Sequence, residues 1–142
     1  MRAYILAFIT AILLAGCIGS TVTSVDKNGG NVYVLPLEVV DRMLLGAMSA
    51  EIPRGELSRG ATAYPSYRGD VTWGIDTDTI TAVAKPAVGR KLDGSDVEGY
   101  VFEVSHYGTA PIVGSPTAKR IHAKLQADAE LTGTGAAFIR FK

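Results

Sequence analysis

Tyr100-Val101-Phe102-Glu103-Val104-Ser105-His106-Tyr107 is the stretch from which the fold is read. Strand side chains alternate between faces, so Tyr100, Phe102, Val104 and His106 share one side and Val101, Glu103, Ser105 and Tyr107 the other. Upstream, Val71, Trp73 and Ile75 alternate with Thr72 and Gly74 and predict a half-buried strand, with Trp73 closing the core. Asp76-Thr77-Asp78 predicts the turn after it, and the β-branched run Thr79 to Lys85 a return strand ending at Pro86. Gly89 to Gly99 predicts a second turn region. Three strands with short connections favour an antiparallel meander.

Helical spacing flanks the meander on both sides. Leu37, Val40, Leu44, Ala47 and Met48 fall on one face, after Pro36 and before Pro53. Ala118, Ile121, Leu125 and Ala129 give a second stripe over Thr117 to Leu131. Asn31 to Leu35 predicts a first strand, and Ala136 to Phe141 a last one. The order is β-α-β-β-β-α-β. It predicts an α+β two-layer sandwich, an antiparallel sheet of about five strands with two helices packed on one face. Ile52 to Gly69, rich in Gly, Pro and Ser, is expected to be an irregular loop.

The front of the chain reads differently. Arg2 precedes an apolar run from Ala3 to Leu13, interrupted by Thr10. A spanning helix needs roughly 20 apolar residues, so this run has the layout of a signal peptide. Leu14-Ala15-Gly16-Cys17 resembles the lipobox of bacterial lipoproteins. That resemblance covers the first 17 residues only. It implies diacylglyceryl attachment to the Cys17 thiol, cleavage before Cys17, and acylation of the new amino terminus. It therefore implies a signal peptide over residues 1–16. Residues 17–30 are expected to be a lipid-anchored polar tether, and residues 31–142 a single domain. Ile18, where an inner-membrane protein of that family tends to carry aspartate, points to the outer membrane, facing the periplasm, in a Gram-negative envelope.

Composition narrows the function classes. Cys17 is the only cysteine, so disulfides within the chain and cysteine-built zinc clusters are excluded. Fourteen basic residues balance 14 acidic ones, which argues against a nucleic-acid binder. Mean hydropathy of +0.20 is raised by the front segment.

No catalytic set is legible, no cofactor or metal site is expected, and the balance leans away from an enzyme. Histidine is the residue type suited to acid–base work near neutrality, which makes His106 the first candidate, but adjacent Ser105 points to the opposite face and cannot pair with it. His122, among Lys119, Arg120 and Lys124, is expected on a solvated helix face. Asp76 and Asp78 are expected as turn residues. Gly133-Thr134-Gly135 follows a helix, the wrong order for a phosphate loop.

Two surfaces stand out. Tyr64, Tyr67 and Arg68 form an aromatic and basic set of the kind enriched at interfaces. Lys119, Arg120 and Lys124 could face anionic lipid or wall polymer. The expected function is a small lipid-anchored binding or assembly module, held to the membrane through Cys17, with an envelope protein or cell-wall component as partner. The alternatives are an envelope hydrolase using His106, with a carboxylate supplied by the fold, and a purely structural spacer.

Overall fold

A computed structural model describes residues 17–132 apart from 24, 27, 28 and 92. The expected signal segment and the expected strand at 136–141 lie outside these residues. The described chain is an α+β sandwich, with a five-stranded antiparallel sheet and two helices. In chain order the elements are β1 (Ile18–Thr23), β2 (Val25–Asp26), β3 (Gly29–Gly30), α1 (Leu37–Ser49), a 3-10 turn (Arg54–Glu56) and β4 (Ser58–Arg59). Then follow β5 (Ser66–Trp73), β6 (Asp76–Arg90), β7 (Asp96–Gly108) and α2 (Pro111–Thr132). The sheet order is β1-β7-β6-β5-β4, and β2 and β3 form a separate small ladder.

The meander is present, with one shifted turn. β5 runs into β6 through Gly74 and Ile75, not through Asp76 to Asp78; Trp73 pairs with Asp76. Gly74 has φ +64° at the first central position, which a type II′ hairpin turn requires and glycine supplies. The turn therefore comes two residues earlier than expected, and Asp78 joins the sheet. It now shares a face with Ile80, Ala82 and Ala84, all fully buried. The β6–β7 pairing runs unbroken from Asp78 opposite Gly108 to Arg90 opposite Asp96. Pro86 sits inside it, opposite Tyr100, beyond the last β5 partner Val83. An edge position of that kind tolerates a missing N–H.

The tether expectation is corrected over its first half. Ile18–Thr23 is an edge strand, registered on β7 from Ile18 opposite Gly108 to Thr23 opposite Glu103. The sheet thus begins one residue after Cys17. Short polar and small residues hide this strand from hydropathy, because its stability comes from the β7 ladder. Asn31 to Leu35 is not a strand; it touches the same edge by one bridge, Tyr33 to Tyr100. The Ile52 to Gly69 loop is partly ordered, holding the 3-10 turn, β4 and the start of β5.

Both helices pack on the face that carries Ile80, Ala82, Phe102 and Val104. α1 contributes Val40, Met43, Leu44, Ala47 and Met48, and α2 contributes Ala118, Ile121, Leu125 and Ala129. Leu37, expected on that stripe, is half exposed. The opposite face is mostly polar, with Thr79 bonded to Asp70 (2.7 Å) and Lys85 paired with Glu103. Beyond β1, Val32 packs on Val101 there.

His122 is buried, not solvated. Tyr100 directs its N–H and C=O to the β1 side, where they bond Tyr33. Phe102, two residues on, directs its own groups the same way. β1 pairing stops at Glu103, and the His122 ring hydrogen-bonds the Phe102 backbone in that gap. Burial holds His122 below its ordinary value of 6.5, the Phe102 bond opposing it. The unfolded chain therefore binds the proton first as pH falls. The stability this group contributes is complete above about 6.5 and is lost as pH drops toward the lower folded value. Urea unfolding at pH 7.5 and 5.5 should show a fall in stability at the lower pH. His122→Leu should flatten that fall.

Candidate functional site

One buried polar chain crosses the helix-facing side of the sheet. His106 Nδ1 lies 2.7 Å from Asp78 Oδ2, and its Nε2 lies 2.9 Å from Ser20 Oγ. Asp78 is fully buried, His106 is 3% exposed, and Ser20 is exposed on β1. The pleat produces this grouping. Ser20 stands directly opposite His106 on β7, which stands opposite Ile80, two residues from Asp78 on the same face. A carboxylate only accepts, so Nδ1–H donates to Asp78. In the neutral ring, Nε2 then accepts from the Ser20 hydroxyl.

Asp78 also holds the start of α2. Its Oδ1 accepts the Ala110 N–H at 2.8 Å, while the Ala110 carbonyl takes the N–H of Val113 and Gly114. A carboxylate at a helix N-terminus satisfies an otherwise orphaned donor and meets the positive end of the dipole. The approach is close enough to demand glycine: a Cβ on Gly114 would lie 2.0 Å from Asp78 Oδ2. This anchoring starts α2 at Pro111, six residues earlier than expected. Pro116 lies within the helix, at the cost of one backbone donor.

The order serine, histidine, aspartate is that of a nucleophilic relay, and both distances fall within hydrogen-bond reach. Access to the imidazole is narrow: His106 is almost fully buried and lines neither of two open hollows formed by the described residues. By the alternation that points Tyr100 to the β1 edge, the Ser20 N–H is directed into the β7 ladder. It is therefore not free to hold a developing oxyanion.

The larger hollow lies at the other end of the sheet. It is an open groove of about 990 Å³ between the start of α1, the β4–β5 connection, and Pro86 and Tyr100 on the long hairpin. Glu38, Asp41, Arg42 and Arg59 supply both signs of charge, and Tyr64 is 44% exposed on its wall. The connection is braced from within. Thr62 Oγ1 donates to the Tyr64 carbonyl (2.8 Å) and lies 2.9 Å from Ser66 Oγ, and Gly60 N–H donates to the Ser66 carbonyl.

The predicted partner set is divided by the pleat. Tyr64 lines the groove. Tyr67 is buried, its hydroxyl donating to Asp41 (3.2 Å) and its ring lying under Arg59, 5.4 Å from centroid to guanidinium. Burial, with the Asp41 carboxylate beside it, raises the Tyr67 phenol above its ordinary value. Arg59 is ion-paired to the same Asp41 at 2.8 Å. Arg68 points to the opposite face of the sheet, exposed.

The basic helix set is also divided. Arg120 is forked onto Glu51 (2.9 and 3.0 Å) and Lys124 is paired with Asp128. Both charges are locally balanced, leaving Lys119 exposed beside them. Among the described residues no three His, Cys, Asp or Glu side chains gather as metal ligands would. No helix among them is long and apolar enough to cross a membrane. Comparison with known proteins found no matching family model and no significant match among curated proteins.

Ser20 and Asp78 escaped sequence reasoning, Ser20 for want of any strand signal and Asp78 because the turn was placed on it. Gly74 carried the signal that could have corrected the second. Asp78→Ala should cost about 3 kcal/mol in urea unfolding, because it strands a buried imidazole and a helix-capping N–H together. Ser20→Ala removes one rim hydrogen bond and should cost about 1 kcal/mol or less.

Proposed function

We propose that this chain is a lipid-anchored module of the bacterial envelope, acylated at Cys17, that binds another envelope protein or a wall component. The observation that supports it most is the position of the groove. It lies at Pro86 and Tyr100, whereas Cys17 precedes β1 at the Gly108 end of β7. Tyr100 and Tyr107 are seven residues apart along that strand, about 24 Å at an extended rise. A module held through Cys17 presents this groove away from its attachment. Mixed charge around an exposed tyrosine suits a protein surface or a polar polymer better than a small apolar ligand. Ile18 after Cys17, in place of the aspartate that favours inner-membrane retention among lipoproteins, supports an outer-membrane site facing the periplasm in a Gram-negative envelope.

A photo-crosslinking residue at position 64, in cells, should capture one reproducible envelope component. The same residue at position 68, on the opposite sheet face, should not. With the crosslinking residue moved to position 63 on the same wall, Tyr64→Ala should weaken capture about tenfold, the loss expected for an aromatic anchor of 1–2 kcal/mol. Equal capture from both positions would remove the groove from the proposal.

The Ser20–His106–Asp78 chain supports a second reading, hydrolysis through an acyl-enzyme on Ser20. Its shielded histidine and the ladder-bound Ser20 amide weigh against it. Under the binding reading, a fluorophosphonate probe should leave Ser20 unmodified. Labelling that disappears in Ser20→Ala would put the hydrolase first.

A further inference from the structure

Five of the ten large apolar side chains left exposed among the described residues lie at one end of the sheet. They are Ile18 (57% exposed), Trp73 (58%), Ile75 (101%), Tyr107 (62%) and Ile112 (62%). The topology brings them together. β1 and α2 begin at this end, β5 and β7 finish there, and the Gly74–Ile75 turn projects from it. Cys17 is at the same end, exposed, and its side chain beside the Tyr107 phenol raises that phenol above its ordinary value.

The fold does not require these residues to be apolar. A type II′ turn needs glycine at its first central position and accepts most residues at the second, where polar ones are commoner. Ile75 there is fully exposed. Trp73 shares the helix-facing alternation of Tyr67 and Val71, yet at the end of the sheet it stays more than half exposed and does not close the core. A cluster of this kind marks a surface that something covers.

We propose that this end of the sheet is the face on which the domain lies against the lipid bilayer, with the Trp73-Gly74-Ile75 turn dipped into the interfacial layer. The proposal rests on acylation of Cys17, the anchor reading above. Ile18 already belongs to the β7 ladder, so no spacer separates the anchoring residue from the sheet. Acyl chains on Cys17 would hold this end, and no other, at the bilayer surface. Tryptophan and tyrosine favour that depth, where the ring leaves water and its polar edge stays solvated. None of the five is basic, and the nearest charge on the turn is Asp76. The contact is therefore apolar, and should persist in zwitterionic lipid and at high salt.

Trp73 is the only tryptophan, so its emission reports this face alone. The full-length protein purified from membranes would be reconstituted in phosphatidylcholine vesicles whose acyl chains carry bromine near the headgroup. Mass spectrometry of the same sample would establish whether Cys17 is acylated. The expected result is blue-shifted emission, quenched by the brominated lipid and protected from aqueous acrylamide. Ile75→Asp changes a side chain outside the core and should reverse all three effects. With Cys17 acylated, emission open to acrylamide and indifferent to bromine overturns the proposal, as does unchanged quenching in Ile75→Asp. If Cys17 carries no lipid, the anchor reading fails separately. Bromine quenching of that unacylated chain added to the vesicles would then sustain the bilayer face, and its absence would end it.

Discussion

The carboxylate of Asp78 is placed where three parts of the structure meet, and each depends on it differently. Its Oδ1 fixes the first turn of α2 through the Ala110 N–H, and its Oδ2 receives the His106 ring. His106 in turn reaches Ser20 on the edge strand. A buried carboxylate is tolerated only when its oxygens are satisfied. Here the groups that satisfy it are those that position the helix layer and the outermost strand. Breaking a buried pair costs far more than an exposed one, so this clip ties the helix layer, the sheet and its edge into one cooperative arrangement. The exposed pairs Arg59–Asp41 and Arg90–Asp96 contribute little beside it.

The same chain of three residues shows how little residue order alone says about chemistry. Serine, histidine and aspartate stand at the right distances. What differs is access: the imidazole is sealed under the helix layer, and the serine amide is spent on the ladder. The exposed features lie instead at the two poles of the long strands. One pole carries the groove and the other the apolar residues around Cys17.

Much of the fold was legible because the central strands alternate cleanly. Phe102, Val104 and His106 declared their face, and the α2 stripe of Ala118, Ile121, Leu125 and Ala129 declared its own. What failed were elements held by neighbours. β1, with Gly19, Ser20, Thr21 and Thr23, has no hydrophobic signature and exists because β7 offers it an edge. β4 is two residues long and pairs only where Arg68 and Tyr67 receive it. The turn at Gly74 was masked by Ile75, which looked like the next inward residue of a strand. Moving that turn by two residues changed Asp78 from a loop carboxylate to the most buried charge described. The site residues divided for a similar reason: Tyr67 and Arg68 are adjacent in sequence, and a strand sends neighbours to opposite sides.

β1 runs directly from Cys17, antiparallel to β7, with its six residues registered one for one. Tension applied at Cys17 along the strand axis, whatever its source, is divided among the rungs of the ladder, which bear it in shear. A hairpin pulled at its open end yields rung by rung, whereas a strand pulled lengthwise must release its rungs together. The clip between Ser20 and His106 lies across the same sliding plane, two residues into the ladder. The join between the front of the chain and its domain is thus built as a lap joint, and mechanical load reaches β7 and the core without passing through a loose connection.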